Sequence, residues 1–203
     1  MPERRFLQER KAIYGRRINK YEPRQHFLVV CEGEKTEPNY FKRFPLPPDS
    51  IVDVRGIGAN TVSLVIEALR LKSEAKYHQV WCVFDRDSFP PGNFNAALQK
   101  AEANDIRVAY SNKAFELWYV LHFDYLDTGI NRSDYITCLD GKLGHEYQKN
   151  SETIYDEIYA RQAVAIRNAK RLLAQYRPPN PVADNPSTTV HLLVEQLNRL
   201  FWD

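Results

Sequence analysis

The residues Gln25–Phe41, QHFLVVCEGEKTEPNYF, carry the strongest structural signal in this chain. Their apolar run FLVVC has the length and composition of a parallel strand buried on both faces, and it ends on Glu32. A second run, Val80–Phe84, ends in the same way on Asp85. Ligands of open α/β sheets bind outside the carboxyl ends of parallel strands. The two runs therefore predict one acidic site at one edge of a sheet.

Three acids, Glu32, Asp85 and Asp87, form the predicted metal site. The two aspartates are two residues apart, so both can reach one side of the turn that follows the strand. Clustered like charges are costly unless a cation neutralises them, and hard oxygen ligands suit Mg²⁺ or Mn²⁺. Gly33 would let the backbone turn sharply or approach a phosphate closely. The alternative for Glu32 is an acid exposed to solvent at the end of a strand, and its neighbours favour the site.

Four blocks of sequence follow one another in the order CEGEKTEPNYF, FDRDSF, SNKAFELWYVLHF and NPSTTVHLLVEQL. The Glu-Gly and Asp-x-Asp elements resemble the Toprim domain of topoisomerases, primases and related nucleases. The four blocks together resemble the RloB family over Arg24–Leu197. This resemblance implies a bacterial phage-defence protein encoded beside an ATPase, with Asp85 and Asp87 as metal ligands and Glu32 as a ligand or general acid/base. One departure is Lys113, where the family pattern has proline.

The rest of the chain supports an α/β fold. Strands are predicted at 25–31, 51–55, 79–85 and 106–110, and helices follow them at 36–44, 61–75, 94–104 and 114–122. This alternation is typical of a Toprim/Rossmann-like, mainly parallel four-stranded sheet with helices on both faces. After residue 124 the pattern is helical, and the last helix is predicted at Thr188–Phe201. We therefore predict a basic arm (1–23), an α/β core (24–124) and a helical lobe (125–203).

Other candidates lie close to these motifs in the sequence. Glu116, in AFELW, either faces solvent or joins the site, and the family resemblance favours a catalytic role. Asn112 follows the fourth strand and is a candidate for binding substrate. Lys35 can contact a phosphate, although loop lysines are usually only solvated. Glu37 fits the first turn of a helix, where its charge opposes the macrodipole.

The second half of the chain supplies further phosphate-binding candidates. A loop rich in Lys, Gly and His is predicted from Gly141 to Asn150, and its residues Lys142, His145 and Lys149 either grip a phosphate or are merely hydrated. Ser187 and His191 begin the last helix, whose amides can also bind phosphate. On a helix with one apolar face, however, a histidine is more often a core or surface residue. The resemblance alone makes these two residues candidates.

The composition of the chain indicates its expected cellular compartment and the kinds of partner that it could bind. The 203 residues are 43% hydrophobic and carry a net charge of +2, which describes an ordinary globular protein. Its three cysteines form no CxxC pair. No apolar run approaches the roughly 18 residues of a membrane span, and no signal sequence is visible, so we expect a cytoplasmic protein without a membrane span. Residues 1–25 hold eight Arg or Lys against three Glu. Such a basic arm either contacts a polyanion or is a solvated terminus.

Two functions fit these features. The first is a Toprim-type nuclease or phosphodiesterase that depends on Mg²⁺ or Mn²⁺ and acts on DNA or RNA. The second is a non-catalytic module that binds nucleic acid or nucleotides and regulates a partner ATPase of the AAA or ABC type. The chain contains no Walker A, GxGxxG or GxSxG sequence, so ATP hydrolysis, dinucleotide binding and serine hydrolysis lack support.

Overall fold

The computed structural model describes residues 24–86 and 90–201, and its centre is a five-stranded sheet. The strands are β1 (Gln25–Cys31), β2 (Ser50–Gly56), β3 (Gln79–Asp85), β4 (Arg107–Asn112) and β5 (Ser187–Thr188). Their order across the sheet is β2-β1-β3-β4-β5. The first four strands are parallel, and β5 runs antiparallel to β4. The carboxyl ends of β1 and β3, the two strands that precede Glu32 and carry Asp85, thus lie side by side.

Helices connect the strands and follow them. They are α1 (Thr36–Lys42), α2 (Thr61–Lys72), α3 (Pro91–Glu102), α4 (Glu116–Val120), α5 (Arg132–Leu143), α6 (Ile154–Ile158), α7 (Gln162–Ala174) and α8 (Val190–Arg199). A 3-10 turn, Tyr159–Arg161, joins α6 to α7. The side chain of Asn60 caps α2 by accepting a hydrogen bond from the amide of Ser63, as an N-cap asparagine does. The residues after 124 are therefore mainly helical, as predicted.

The two faces of the sheet pack against different helices. Alternate residues of β1 point to opposite faces, so Leu28 and Val30 join α2 and α3, whereas Phe27 and Val29 join the larger cluster around α1, α4, α7 and α8. All four of these side chains are at most 2% exposed. This double burial explains why β1 is a continuous apolar run without alternation. The larger cluster contains residues from both sides of residue 124, and the division into core and lobe stays a prediction.

The prediction of a mainly parallel α/β fold is confirmed, but the prediction of four strands is wrong. The fifth strand, β5, arises because Thr188 and Ser187 pair with Ser111 and Asn112. The hydroxyl groups of Ser111 and Thr188 also bond to each other at 2.9 Å. The last helix consequently begins at Val190 and not at Thr188. Residues 1–23, which include the predicted arm, and Asp87 lie outside the described residues.

A helix that crosses a membrane must be both long and apolar. Within the part of the chain that the structure describes, no helix combines the length and the apolar character that a membrane-spanning segment needs.

Candidate metal and phosphate site

Glu32 and Asp85 meet at the carboxyl edge of the sheet. Cys31 pairs with Val83 in the parallel register, so the residues that follow β1 and end β3 are neighbours. The amide of Asp85 donates a hydrogen bond to Glu32 Oε2 at 3.1 Å. The structure thus brings together two of the three acids that were predicted to share a metal. The third, Asp87, lies outside the described residues.

Two further carboxylates, Glu37 and Glu116, line the same cavity, which has a volume of about 330 Å³. Glu37 lies in the first turn of α1 and is 6% exposed, and Glu116 begins α4 and is 7% exposed. The Glu37 carboxylate packs against Gly33, where a Cβ atom would come within 2.2 Å of Glu37 Oε2. A side chain at position 33 would therefore displace the Glu37 carboxylate from its present place.

Burial and mutual repulsion disfavour the charged forms of these acids. Burial raises the pKa of Asp85 well above its usual range, and the charges of Glu37 and Glu116 add to the rise while Arg132 opposes it. Burial likewise raises the pKa of Glu37, with a further contribution from Glu116. Asp85 Oδ1 is buried and has no hydrogen-bond partner among the described residues. An unpartnered buried carboxylate oxygen is costly, so the site favours an additional cation or proton.

Two basic side chains, Arg132 and Lys149, border the acidic cavity. Arg132 Nη2 lies 3.0 Å from Asp85 Oδ2 and also donates to the carbonyl of Lys113 at 3.3 Å. The backbone carbonyl of Lys149 accepts a hydrogen bond of 2.7 Å from the Thr36 hydroxyl, which fixes the loop beside α1. A phosphate that enters the cavity would therefore meet both carboxylates and cations.

The donor chemistry of this cavity fits a hard divalent cation. Mg²⁺ is usually held by one or two carboxylates and keeps several water ligands, and Glu32 with Asp85 Oδ1 supplies that number. Across residues 24–86 and 90–201, no three Asp, Glu, His or Cys side chains are already arranged around one metal position. The described carboxylates thus suit a largely hydrated ion better than a closed, all-protein cage.

Three other predicted binding residues line this cavity or a neighbouring one. Gly33 lines it, and Lys35, which directly precedes α1, lines a separate pocket together with Gly33 and Lys149. Asn112 lies in a second, adjacent cavity, and its side chain donates to the carbonyl of Asp184 at 2.7 Å. The edge of the sheet therefore gathers these three residues around the acids.

Lys142, Ser187 and His191 do not line the acidic cavity. Lys142 lies in the last turn of α5, so the prediction of a loop at this residue is wrong, and its Nζ lies 2.6 Å from a carboxylate oxygen of Asp124. Ser187 is fully buried in β5, and its hydroxyl donates to the carbonyl of Asp184 at 2.7 Å. His191 is 3% exposed on the buried face of α8. The structural roles of these side chains are an ion pair, a strand contact and a core position.

The buried His191 predicts a specific acid sensitivity. Burial lowers the pKa of His191 to about 4, so the unfolded chain takes up a proton that the folded chain refuses between about pH 6.5 and pH 4. Stability attributable to this residue is complete above pH 6.5 and is lost as the pH falls. Relative to a His191→Gln variant, the wild type should lose about 2 kcal/mol of unfolding free energy between pH 7.5 and pH 5.

Urea denaturation at both pH values measures this difference directly. Leu192, which is exposed on the same helix, provides the control, because a Leu192→Gln variant removes no titratable group and should keep the pH response of the wild type. Equal responses of wild type and His191→Gln would contradict the assignment of His191 to the core.

Sequence reasoning did not identify Arg132, and it left Glu37 and Lys149 with simpler roles. Glu37 has a sequence signal, since it lies five residues after Glu32 and follows Gly33 in the same motif, but its first-turn position has a simpler explanation as a helix-dipole partner. Lys149 is a phosphate candidate from sequence only as part of a loop that is more often hydrated, and Arg132 has no such signal. They reach the cavity only because α5 and the following loop pack against the edge of the sheet.

Comparison with known proteins agrees with this arrangement of motifs. The family model described as RloB-like protein matches residues 27–197, which include all of the described residues of the acidic cavity. No curated protein and no solved structure shows significant similarity to the chain. The match covers most of the sequence, and the chain therefore belongs to the RloB-like family.

Proposed function

We propose that this protein is a phosphodiesterase of the Toprim type that depends on Mg²⁺ or Mn²⁺ and cleaves nucleic acid. The observation that carries the proposal is the pair Glu32 and Asp85 at the ends of adjacent parallel strands, with Asp85 Oδ1 buried and unpartnered within the described chain. Such a pair is costly without a cation, and a divalent ion at this place would meet a phosphate at the usual ligand edge of an α/β sheet.

In this proposal Glu32 and Asp85 hold the metal, with Asp87 as a further candidate ligand. A bound divalent ion supplies charge neutralisation at the phosphoryl oxygens and a lowered pKa for water. The raised pKa of Glu37 favours its protonated form, so its carboxyl group can donate a proton to a leaving oxygen. Glu116, across the same cavity, is the candidate for accepting a proton from the attacking water. Lys149 is placed to bind the phosphate.

A second function, recognition of nucleic acid or nucleotides without cleavage, is favoured by one observation. Arg132 already contacts Asp85 at 3.0 Å and supplies positive charge to the acids without a metal. Under this alternative the protein would be a binding module that regulates an ATPase. For either function, the resemblance to the RloB family leads us to propose a role in phage defence, together with an AAA- or ABC-type ATPase in the cytoplasm.

The deciding experiment is a cleavage assay with labelled single- and double-stranded DNA and RNA, performed in EDTA, Mg²⁺ and Mn²⁺. Cleavage that requires a metal and disappears in the acid variants would establish the phosphodiesterase. Metal binding without cleavage of any substrate would favour the binding module. The absence of metal binding by the wild type would rule out the proposed phosphodiesterase.

Metal is also expected to stabilise the fold. If Mn²⁺ or Mg²⁺ binds only the folded chain, an ion concentration of about 100 times the Kd adds about 2.7 kcal/mol to the unfolding free energy. The melting temperature should therefore be higher in excess Mn²⁺ or Mg²⁺ than in EDTA. The Asp85→Asn change should abolish this difference. A matched titration with Na⁺ at equal ionic strength controls for screening of the acids.

The basic arm provides a separate prediction, although it lies outside the described residues. If residues 1–23 contact phosphates, their deletion should weaken binding of nucleic acid and reduce its dependence on salt, because fewer counterions are released. Binding of one oligonucleotide at several salt concentrations measures this slope for the two proteins. An unchanged slope would return the arm to the interpretation as a solvated terminus.

A further inference from the structure

A second cavity of about 670 Å³ adjoins the acidic one and differs from it in charge. Its walls come from the ends of β3 and β4, the start of α5 and the segment 182–185. Arg132 lines both cavities. The two cavities thus share one side chain at the carboxyl edge of the sheet, with the acids in the first cavity and Arg132 lining both.

Three cationic side chains, Arg86, Lys113 and Arg132, line this second cavity, and no carboxylate lines it within the described residues. Arg86 is held in place because its Nε donates to the carbonyl of Val182 at 3.2 Å and its guanidinium lies 5.9 Å from the centre of the Phe94 ring. Arg132 is held by Asp85. Two preorganised guanidinium groups and an ammonium group in one concave surface favour an anion with several oxygens.

The remaining wall suits more than a phosphate group. Asn112 and Asn131 bring amide groups that can both donate and accept hydrogen bonds, and Pro90, Pro91 and Val182 add apolar surface. A volume of about 670 Å³ falls in the range of small-molecule sites and exceeds what one phosphate would fill. Cations, amides and apolar surface together match the phosphate, base and sugar of one nucleotide.

We propose that this cationic cavity binds one nucleotide unit of a nucleic-acid strand, next to the phosphodiester that occupies the acidic cavity. This inference rests on the proposed function, because the proposed function is what places a phosphodiester in the acidic cavity. The shared Arg132 would then contact the phosphate between the two units. A free mononucleotide offers the same chemical groups, but only a strand can occupy both cavities at once.

The test is binding of a short, fluorescently labelled single-stranded oligonucleotide, as DNA and as RNA, measured by anisotropy in EDTA. Lys113→Ala should weaken binding about 5- to 10-fold and reduce the slope of log affinity against log salt by about 1. Arg86→Gln should have an effect of similar size. Lys76→Ala is the matched control, because Lys76 is exposed and precedes β3 at the opposite edge of the sheet.

A competition experiment tests whether the cavity binds a unit of a strand or a free mononucleotide. An unlabelled nucleoside monophosphate should displace the oligonucleotide more weakly than an unlabelled strand does, since it fills one cavity only. Equal affinities of monophosphate and strand would overturn the assignment to a strand. Melting temperatures of the variants establish that they fold, and Lys113→Arg should restore most of the binding by restoring the charge.

This inference and the proposed function can fail separately. If the wild type binds the oligonucleotide, Lys113→Ala weakens that binding and no metal produces cleavage, the cavity assignment stands and the phosphodiesterase does not. If the wild type cleaves with metal while Lys113→Ala and Arg86→Gln bind and cleave as the wild type does, the cavity assignment is overturned and the phosphodiesterase stands. Failure of the wild type to bind any strand in EDTA would also overturn the cavity assignment.

Discussion

Glu32→Gln and Asp85→Asn should each reduce metal-dependent cleavage by at least about 100-fold, because losing even an outer-shell partner of a metal costs up to that factor. Both changes keep the shape of the side chain and remove its charge, so metal affinity should fall in parallel. The fold should survive. Since burial and repulsion raise the pKa of Asp85, its neutral replacement removes an unfavourable buried charge, and the melting temperature in EDTA should not decrease.

Isothermal titration with Mn²⁺ and single-turnover cleavage measure the two effects in the same preparations. Glu34→Gln is the matched control, because Glu34 belongs to the same EGE motif but is exposed and does not line the acidic cavity. If the Asp85→Asn variant cleaves at the wild-type rate, Asp85 takes no part in the reaction. A comparable loss in Glu34→Gln would point to a general effect of charge on the loop.

Glu116→Gln should also reduce cleavage strongly, by about 100-fold or more if Glu116 is a general base. The reason is its position: it begins α4, is 7% exposed and lines the cavity of Glu32 and Asp85. Metal affinity should change much less than in Asp85→Asn, because Glu116 is assigned to proton transfer and not to the metal. The pH dependence of the single-turnover rate distinguishes these roles, since loss of a general base removes the inflection that this group produces.

Asp124 supplies a control for Glu116→Gln, because its carboxylate pairs with Lys142 away from the acidic cavity. Asp124→Asn should leave both cleavage and metal binding unchanged. Equal losses of metal affinity in Glu116→Gln and Asp85→Asn would make Glu116 a ligand instead of a base. No loss of cleavage in Glu116→Gln would leave the chemistry to the remaining acids.

The central strands were predictable because their signal is local. The bounds predicted for β1 and β3 agree with the structure, since each is an apolar run buried on both faces and bordered by polar residues. Proximity of Glu32 and Asp85 follows from parallel topology once both strands are known. These steps need only composition and the rule that ligands bind at the carboxyl edge.

Other features depend on contacts between distant parts of the chain. Two residues cannot show strand periodicity, so β5 becomes visible only through its pairing with β4 across more than 70 residues. Lys149, which lines the acidic cavity, and Lys142, which pairs with Asp124, come from the same Lys-rich region, and packing against α1 distinguishes them. The location of Glu37 similarly depends on the space beside Gly33.

The pairing of β5 with β4 has a consequence for the order in which the protein is made. Thr188 donates a hydrogen bond to the carbonyl of Tyr110 at 3.0 Å, and Asn112 is held by the carbonyl of Asp184 at 2.7 Å. Both partners are made more than 70 residues after the β4 residues that they contact. A nascent chain can form the first four strands during synthesis and already carries Glu32 and Asp85. The wall at Val182 is added only later, so a chain that stops before it would hold the acids without the surface that we propose binds a strand.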